Sequence, residues 1–162
     1  MDINPFYSPD GRQIAFASDR RGRTEVWLMD ANGGNQRQLA PLSMWGHFLY
    51  WTADGMAIVF RTDERTAIRI VRVTLADGAL TDLPIHEAGG HLSFSPSEQV
   101  MMDAPGHRRL RAYPVDGRPP YDVYAFENPD VRLDYPVWSP DGCSTGAEPR
   151  GADLWTPSDQ YH

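Results

Sequence analysis

Histidine, serine and carboxylate side chains are the usual carriers of catalysis and metal binding, so their spacing comes first. Five histidines occur, with His86 and His91 five residues apart and His47 well upstream. None shows the close-packed His–His or His–carboxylate spacing on one strand that a metal site asks for, and the reading is no metal. A serine hydrolase would enlist Ser93 or Ser95 with a histidine and an aspartate. No Gly-x-Ser-x-Gly turn is present to expose such a nucleophile. Asp10 and Asp141 each sit in Pro-Asp-Gly, which a tight turn explains without a ligand role. Asp63-Glu64 stands between Arg61 and Arg65 and reads as a solvated charged turn, and Arg108, Arg109 and Arg111 fit alternation on an exposed edge as well as an anion grip. Taken together, the reactive side chains give no catalytic residues and no cofactor.

Composition narrows the classes further. All fifteen basic residues are Arg, so Schiff-base chemistry, a P-loop lysine and Ser–Lys pairs are excluded from this chain. The formal charge of −7 argues against nucleic acid as a partner, because such modules concentrate excess Lys and Arg. Cys143, the single cysteine, can form no internal disulfide. No apolar stretch approaches the length of a membrane span. The N-terminus MDINPFYSPDG carries no basic region, apolar run or cleavage site, so the chain reads as periplasmic if a leader has been removed and cytoplasmic otherwise. Fourteen Gly, fourteen Pro and many aromatics favour short strands separated by turns.

The elements that must position all of these residues are visible as an internal repeat. Ser8-Pro9-Asp10-Gly11, Thr52-Ala53-Asp54-Gly55, Ser95-Pro96-Ser97-Glu98 and Ser139-Pro140-Asp141-Gly142 start 44, 43 and 44 residues apart. An aromatic residue precedes each anchor: Tyr7, Trp51, Phe94 and Trp138. Ile14 and Phe16 are matched by Ile58 and Phe60 with a small residue between, which is strand alternation. Glu25–Asp30 aligns with Arg69–Thr74 and, less exactly, with Arg111–Asp116, giving a third strand. Asp-Gly, Arg-Gly and Asn-Gly-Gly turns fall between these runs. Each unit is then a meander of about four antiparallel strands. One such sheet cannot bury both faces alone, so units of about 40–45 residues must stack around an axis as propeller blades. The expected fold is all-β, a single propeller domain of about four four-stranded blades at 2–40, 41–84, 85–130 and 131–162, with the last incomplete and the ring open.

These residues resemble the TolB-like, SPDG-bearing propeller repeats. The first blade matches most fully: Phe6-Tyr7-Ser8-Pro9-Asp10-Gly11, Ile14-Ala15-Phe16, Ser18-Asp19-Arg20, Trp27-Leu28-Met29-Asp30, Gly33-Gly34 and Gln38-Leu39. The resemblance implies a non-catalytic module for binding protein or ligand, part of a larger propeller. Its alternative is the accessory propeller of a prolyl-oligopeptidase-like hydrolase, or a propeller polysaccharide lyase with histidine ligands. The third blade departs at Ser97-Glu98 and in the polar-interrupted Val100–Asp103. The fourth is about three residues short, because Trp155 lies sixteen residues after its anchor whereas Trp27 lies nineteen after Ser8, and its segment 143–147 lacks apolar alternation, through divergence or a disturbed reading frame.

The start of a blade's inner strand lies at the mouth of a propeller channel, where peptides and small molecules dock. Residues there that differ between similar blades are therefore the binding candidates. The fourth position before each anchor holds Asn4, Phe48, His91 and Tyr135, and the position before that holds Ile3, His47, Gly90 and Asp134. The expected contact residues are His47, Phe48, His91, Asp134 and Tyr135, for a protein, peptide or small-molecule partner. Open blade edges add the expectation of self-association.

Overall fold

The structure, a computed structural model, describes residues 1–62, 69–88, 92–125 and 136–138, without the side chains of Gly46 and His47. The chain divides into two compact units, Met1–Glu87 and Ala88–His162. Among the described residues, apart from one short 3-10 turn, Pro105–His107, the regular elements are strands, and every pairing is antiparallel.

The first unit holds seven strands in sequential order: β1 (Asp2–Tyr7), β2 (Gln13–Ser18), β3 (Glu25–Asp30), β4 (Arg37–Trp51), β5 (Ala57–Thr62), β6 (Ile70–Thr74) and β7 (Leu80–Leu83). The fifteen-residue β4 runs through the 40/41 blade boundary, so the outer strand of one blade and the inner strand of the next are continuous. The ladder changes partner along it. Arg37 and Gln38 pair with β3, whereas Leu49, Tyr50 and Trp51 pair with β5. Both pairings shift register between those ends, which lets one strand turn from one sheet into the next.

The core lies between the two blades and follows from strand alternation. Ala15, Ala17, Val26, Leu28 and Leu39 come from one face of the first blade, and Trp51, Ile58, Phe60, Val71 and Val73 from the facing side of the second. The two alanines on one side leave room for Trp51 and Phe60 on the other. Phe60, Ile58, Val71 and Val73 are fully buried there. The indole N–H of Trp51 crosses the interface and donates to the Phe6 carbonyl at 3.0 Å.

The second unit contains a four-stranded sheet in the order β11-β10-β9-β8: β8 (Ser93–Phe94), β9 (Val100–Asp103), β10 (Arg109–Pro114) and β11 (Tyr121–Ala125). Its register corrects the sequence alignment of the third strand. Met101 and Met102 pair with Tyr113 and Ala112, as Ile14 and Ala15 pair with Met29 and Leu28. Arg109–Pro114, not Arg111–Asp116, is therefore the counterpart of Glu25–Asp30. The physical reason is a shorter β9–β10 connection, closed by the 3-10 turn with Gly106 at φ 63. In the fourth unit, only Pro136, Val137 and Trp138 are described. The Trp138 indole donates to the Ser93 carbonyl at 3.1 Å, the same bond between the same repeat positions as Trp51 to Phe6. The segment 143–147 and Trp155 lie outside the described residues.

Candidate functional site

In the three described anchors the side chains that offered themselves for chemistry are committed to holding turns, while Ser139 and Asp141 lie outside the described residues. Ser8 Oγ donates to Asp10 Oδ1 at 2.6 Å and accepts from the Gln13 N–H at 2.9 Å. Asp10 Oδ1 in turn accepts from the Arg12 N–H at 3.0 Å. The second unit of the repeat reproduces this clasp with Thr52, Asp54, Met56 and Ala57 at 2.6, 2.8 and 2.9 Å. In the third, Ser95 Oγ lies 3.1 Å from Ser97 Oγ and accepts from the Val100 N–H at 3.2 Å.

Each clasp ties a tight turn to the first residues of the strand that follows. Gly11 and Gly55 adopt φ 70 and 68, and Glu98 is held at φ 57 where the first two blades have glycine. A hydroxyl that both donates to a carboxylate and accepts from an amide is a structural clamp. The Ser8 hydroxyl first, then the Arg12 amide, holds the Asp10 carboxyl below its ordinary range. The Thr52 hydroxyl and then the Met56 amide do the same for Asp54. These aspartates stay ionised and serve as acceptors, which makes them poor general acids at neutral pH.

A second Asx turn recurs between the third and fourth strands. Asn32 Oδ1, Asp77 Oδ1 and Asp116 Oδ1 accept from Gly34, Ala79 and Arg118 amides at 2.9, 3.0 and 3.1 Å. The Asp116 carboxyl is lowered mainly by the Arg118 amide. Sequence reading placed Gly-containing turns here but not the side-chain acceptors. The signal, an Asx two residues before the amide it accepts from, is present in all three blades.

Of the five candidate contact residues, Phe48 is described in full. It lies in β4 and is 6% exposed, so its ring has little surface to present. His47 lies beside it in β4. His91, Asp134 and Tyr135 lie outside the described residues. Asn4, at the corresponding position of the first blade, sits at φ 53 in the register shift between Ile3 and Phe6, so this position bends the inner strand. Among the described residues no group of three or more His, Cys, Asp and Glu could hold a metal ion, and no helix is long and apolar enough to cross a membrane.

The first blade carries a further feature that sequence reading passed over. Arg20, the third residue of Ser18-Asp19-Arg20, lies over the rings of Phe16 and Trp27, 5.3 and 4.5 Å from their centroids. Ser18 Oγ, Gln36 Oε1 and Asp2 Oδ1 hold its guanidinium at 2.8, 2.7 and 3.1 Å. The Ser18 hydroxyl and then Arg20 lower the Asp2 carboxyl. A planar fork stacked on aromatic faces suits Arg and not Lys.

Antiparallel meanders in sequential order, the second sealed onto the first by an indole-to-carbonyl bond and both opened by Asx-clasped turns, define β-propeller blades. The sequence model of the TolB beta propeller domain matches residues 1–142, and the chain belongs to that family. Among curated proteins it is 28% identical over 136 residues to the Tol-Pal system protein TolB of Francisella tularensis, covering 78% of this chain and 31% of that protein. The chain thus spans about a third of the length of the curated relatives it matches. Among solved structures it resembles TolB from Acinetobacter baumannii, with TM-score 0.69, 16% identity, and coverage of 88% of this chain and 36% of that one. An oligogalacturonate lyase in complex with manganese shares the fold at TM-score 0.67 and 17% identity, covering 88% of this chain and 43% of the lyase.

Proposed function

We propose that this chain is a non-catalytic TolB-like propeller module that binds a protein partner, as part of a larger propeller. The observation that carries the reading is the fate of the reactive side chains. The hydroxyls of Ser8, Thr52 and Ser95 and the carboxylates of Asp10 and Asp54 are used up in holding turns, which leaves the positions that vary between blades in the sequence, His47, Phe48, His91, Asp134 and Tyr135, as the expected contacts. Curated relatives bear the name of a Tol-Pal system protein, which supports a protein of that system as the partner to try first. With Phe48 buried, His91 and Tyr135 are the side chains to test. Calorimetric titration of a Tol-Pal partner protein into the chain should show saturable binding, weakened at least about tenfold in His91→Ala or Tyr135→Ala, the loss that removing one central contact brings. Binding unchanged in both variants would overturn the site.

The alternative is the accessory propeller of a prolyl-oligopeptidase-like hydrolase, or a propeller lyase. The lyase likeness, at 17% identity, speaks to fold alone. Stoichiometric manganese, lost in His91→Ala, would favour the lyase reading. A hydrolase domain with a serine nucleophile turn encoded downstream would favour the other.

A further inference from the structure

The chain holds four asparagines, and the sequence leaves one of them well placed to react with its own backbone. An asparagine side chain is attacked by the main-chain nitrogen of the next residue, which must first give up its proton. Asn4 and Asn128 precede Pro5 and Pro129, whose nitrogens carry no proton. Asn35 precedes Gln36, whose Cβ crowds the approach, and its amide is committed to Asp30 Oδ2 at 2.6 Å. Asn32 precedes Gly33, which offers an N–H and no side chain. Residues 31–37 are all exposed, so water reaches the pair.

The turn between β3 and β4 holds the pair in a setting that the next two blades do not share. Asn32 Oδ1 accepts from the Gly34 amide at 2.9 Å, a bond that draws electrons from the side-chain carbonyl carbon. The Gly33 N–H donates to the Asp30 carbonyl at 2.8 Å, so its nitrogen is released to attack only when the turn opens. In the second and third blades the carbonyls that close the turn belong to Thr74 and Pro114, and the side-chain acceptors are the carboxylates of Asp77 and Asp116. Of these three blades, the first alone combines an acidic closing residue, Asp30, with a neutral acceptor. Asp30 Oδ2 and Asn32 Oδ1 lie 3.9 and 3.1 Å from one point, where a side chain on Gly34 would begin, so a second carboxylate here would face the first at close range.

We propose that Asn32 and Gly33 form a modification site, at which water converts the Asn32 amide to a carboxylate and adds a negative charge beside Asp30. In the opened turn the Gly33 nitrogen loses its proton and bonds to Asn32 Cγ. The Cγ–Nδ2 bond then breaks, and the amide nitrogen leaves with that proton as ammonia. Water adds to one of the two carbonyls of the resulting succinimide, and the ring nitrogen regains a proton as its bond to that carbon breaks. Opening at Cγ gives an aspartate, whose carboxylate accepts the Gly34 amide as Asp77 and Asp116 accept theirs. Opening at the main-chain carbonyl gives isoaspartate, which adds a methylene to the backbone and breaks the closure between Gly33 and Asp30. Either product sets like charges against each other and weakens the hairpin that carries the outer strand of the first blade.

The test ages the full chain at mildly alkaline pH in water labelled with heavy oxygen. Peptides are then mapped by mass spectrometry with electron-transfer fragmentation, which separates aspartate from isoaspartate. Asn32 should gain the mass of the amide-to-acid change together with a heavy oxygen, about ten- to a hundredfold more slowly in buffer than in urea, because the closed turn holds the attacking nitrogen's proton. Asn35 should stay unchanged. No detectable conversion of the folded chain by the time the urea-unfolded chain has converted fully overturns the site, and equal rates in the two overturn the gating by the turn. Asn32→Asp supplies the direct product as a uniform sample. Its urea midpoint should fall by about 0.2–0.3 M at low salt, and the fall should vanish in high salt and in an Asp30→Asn background. A fall that persists in Asp30→Asn overturns the assignment of the weakening to charge.

Discussion

Replacing Trp51 by Phe isolates the contribution of the bond that joins the first two blades. The indole N–H donates to the Phe6 carbonyl at 3.0 Å, and the ring is 7% exposed within the inter-blade core. Phenylalanine keeps the aromatic ring but removes the donor and part of the ring's area. Loss of one intramolecular hydrogen bond costs about 1 kcal/mol net. Roughly 40 Å² of apolar contact at about 25 cal/mol per Å² adds about 1 kcal/mol, and a cavity that relaxes only in part adds somewhat less. The expected destabilisation is about 2–3 kcal/mol. With a urea m-value of roughly 1.5 kcal/mol per molar, the midpoint falls by about 1.5–2 M. Urea unfolding followed by far-ultraviolet circular dichroism measures it, since that signal reports the sheets rather than the removed indole. Tyr7→Phe is the internal control. It occupies the same repeat position but is 63% exposed, so its change should stay within about 0.5 kcal/mol. A Trp51→Phe midpoint shift no larger than that of Tyr7→Phe would refute the claim that this bond and its packing hold the blades together.

Other predictions concern the turns and the Arg20 stack. Folded-state pKa values of Asp10 and Asp54 lie below the ordinary 3.8, so their contribution is present above about pH 4 and lost as pH falls through the lowered values. Asp10→Asn with Asp54→Asn should flatten the acid limb of stability measured by urea midpoints between pH 5 and 2, and an unchanged limb would contradict the clasp. Glu98→Gly relieves a left-handed residue at φ 57 and should stabilise the chain by about 0.5–1 kcal/mol once the added chain entropy of glycine is allowed for; a loss of stability in urea would show that the turn is not strained. Arg20→Lys should cost about 1 kcal/mol, and Arg20→Ala more, because the ammonium loses the fork to Ser18, Gln36 and Asp2 while its stem still covers part of Trp27. An Arg20→Lys midpoint equal to that of the unsubstituted chain would remove the special role of the guanidinium.

Much of the architecture was legible because it is local. The Ser-Pro-Asp-Gly and Thr-Ala-Asp-Gly anchors specify turns through φ and a two-residue side-chain bond, and these need only neighbours in sequence. Alternation in Ile14-Ala15-Phe16 and Ile58-Val59-Phe60 likewise fixes which residues share a face, since successive side chains on a strand point oppositely. The candidate site was legible only as variation between repeats, at positions 47, 48, 91, 134 and 135; variation names places where blades differ but not which rings are free, and Phe48 proves to be packed. Where the pattern was weak, tertiary structure decided. The third strand of the third blade moved by two residues to Arg109–Pro114, because register there follows from ladder pairing with Met101 and Met102 after a shortened connection. The continuity of β4 across two blades depends on which strand each half finds as a partner. The difference between buried Trp51 and exposed Tyr7, two aromatics at one repeat position, is also tertiary. Sequence determined that an aromatic stands at the head of every blade, and only the presence or absence of a neighbouring sheet decides whether that ring is core or surface.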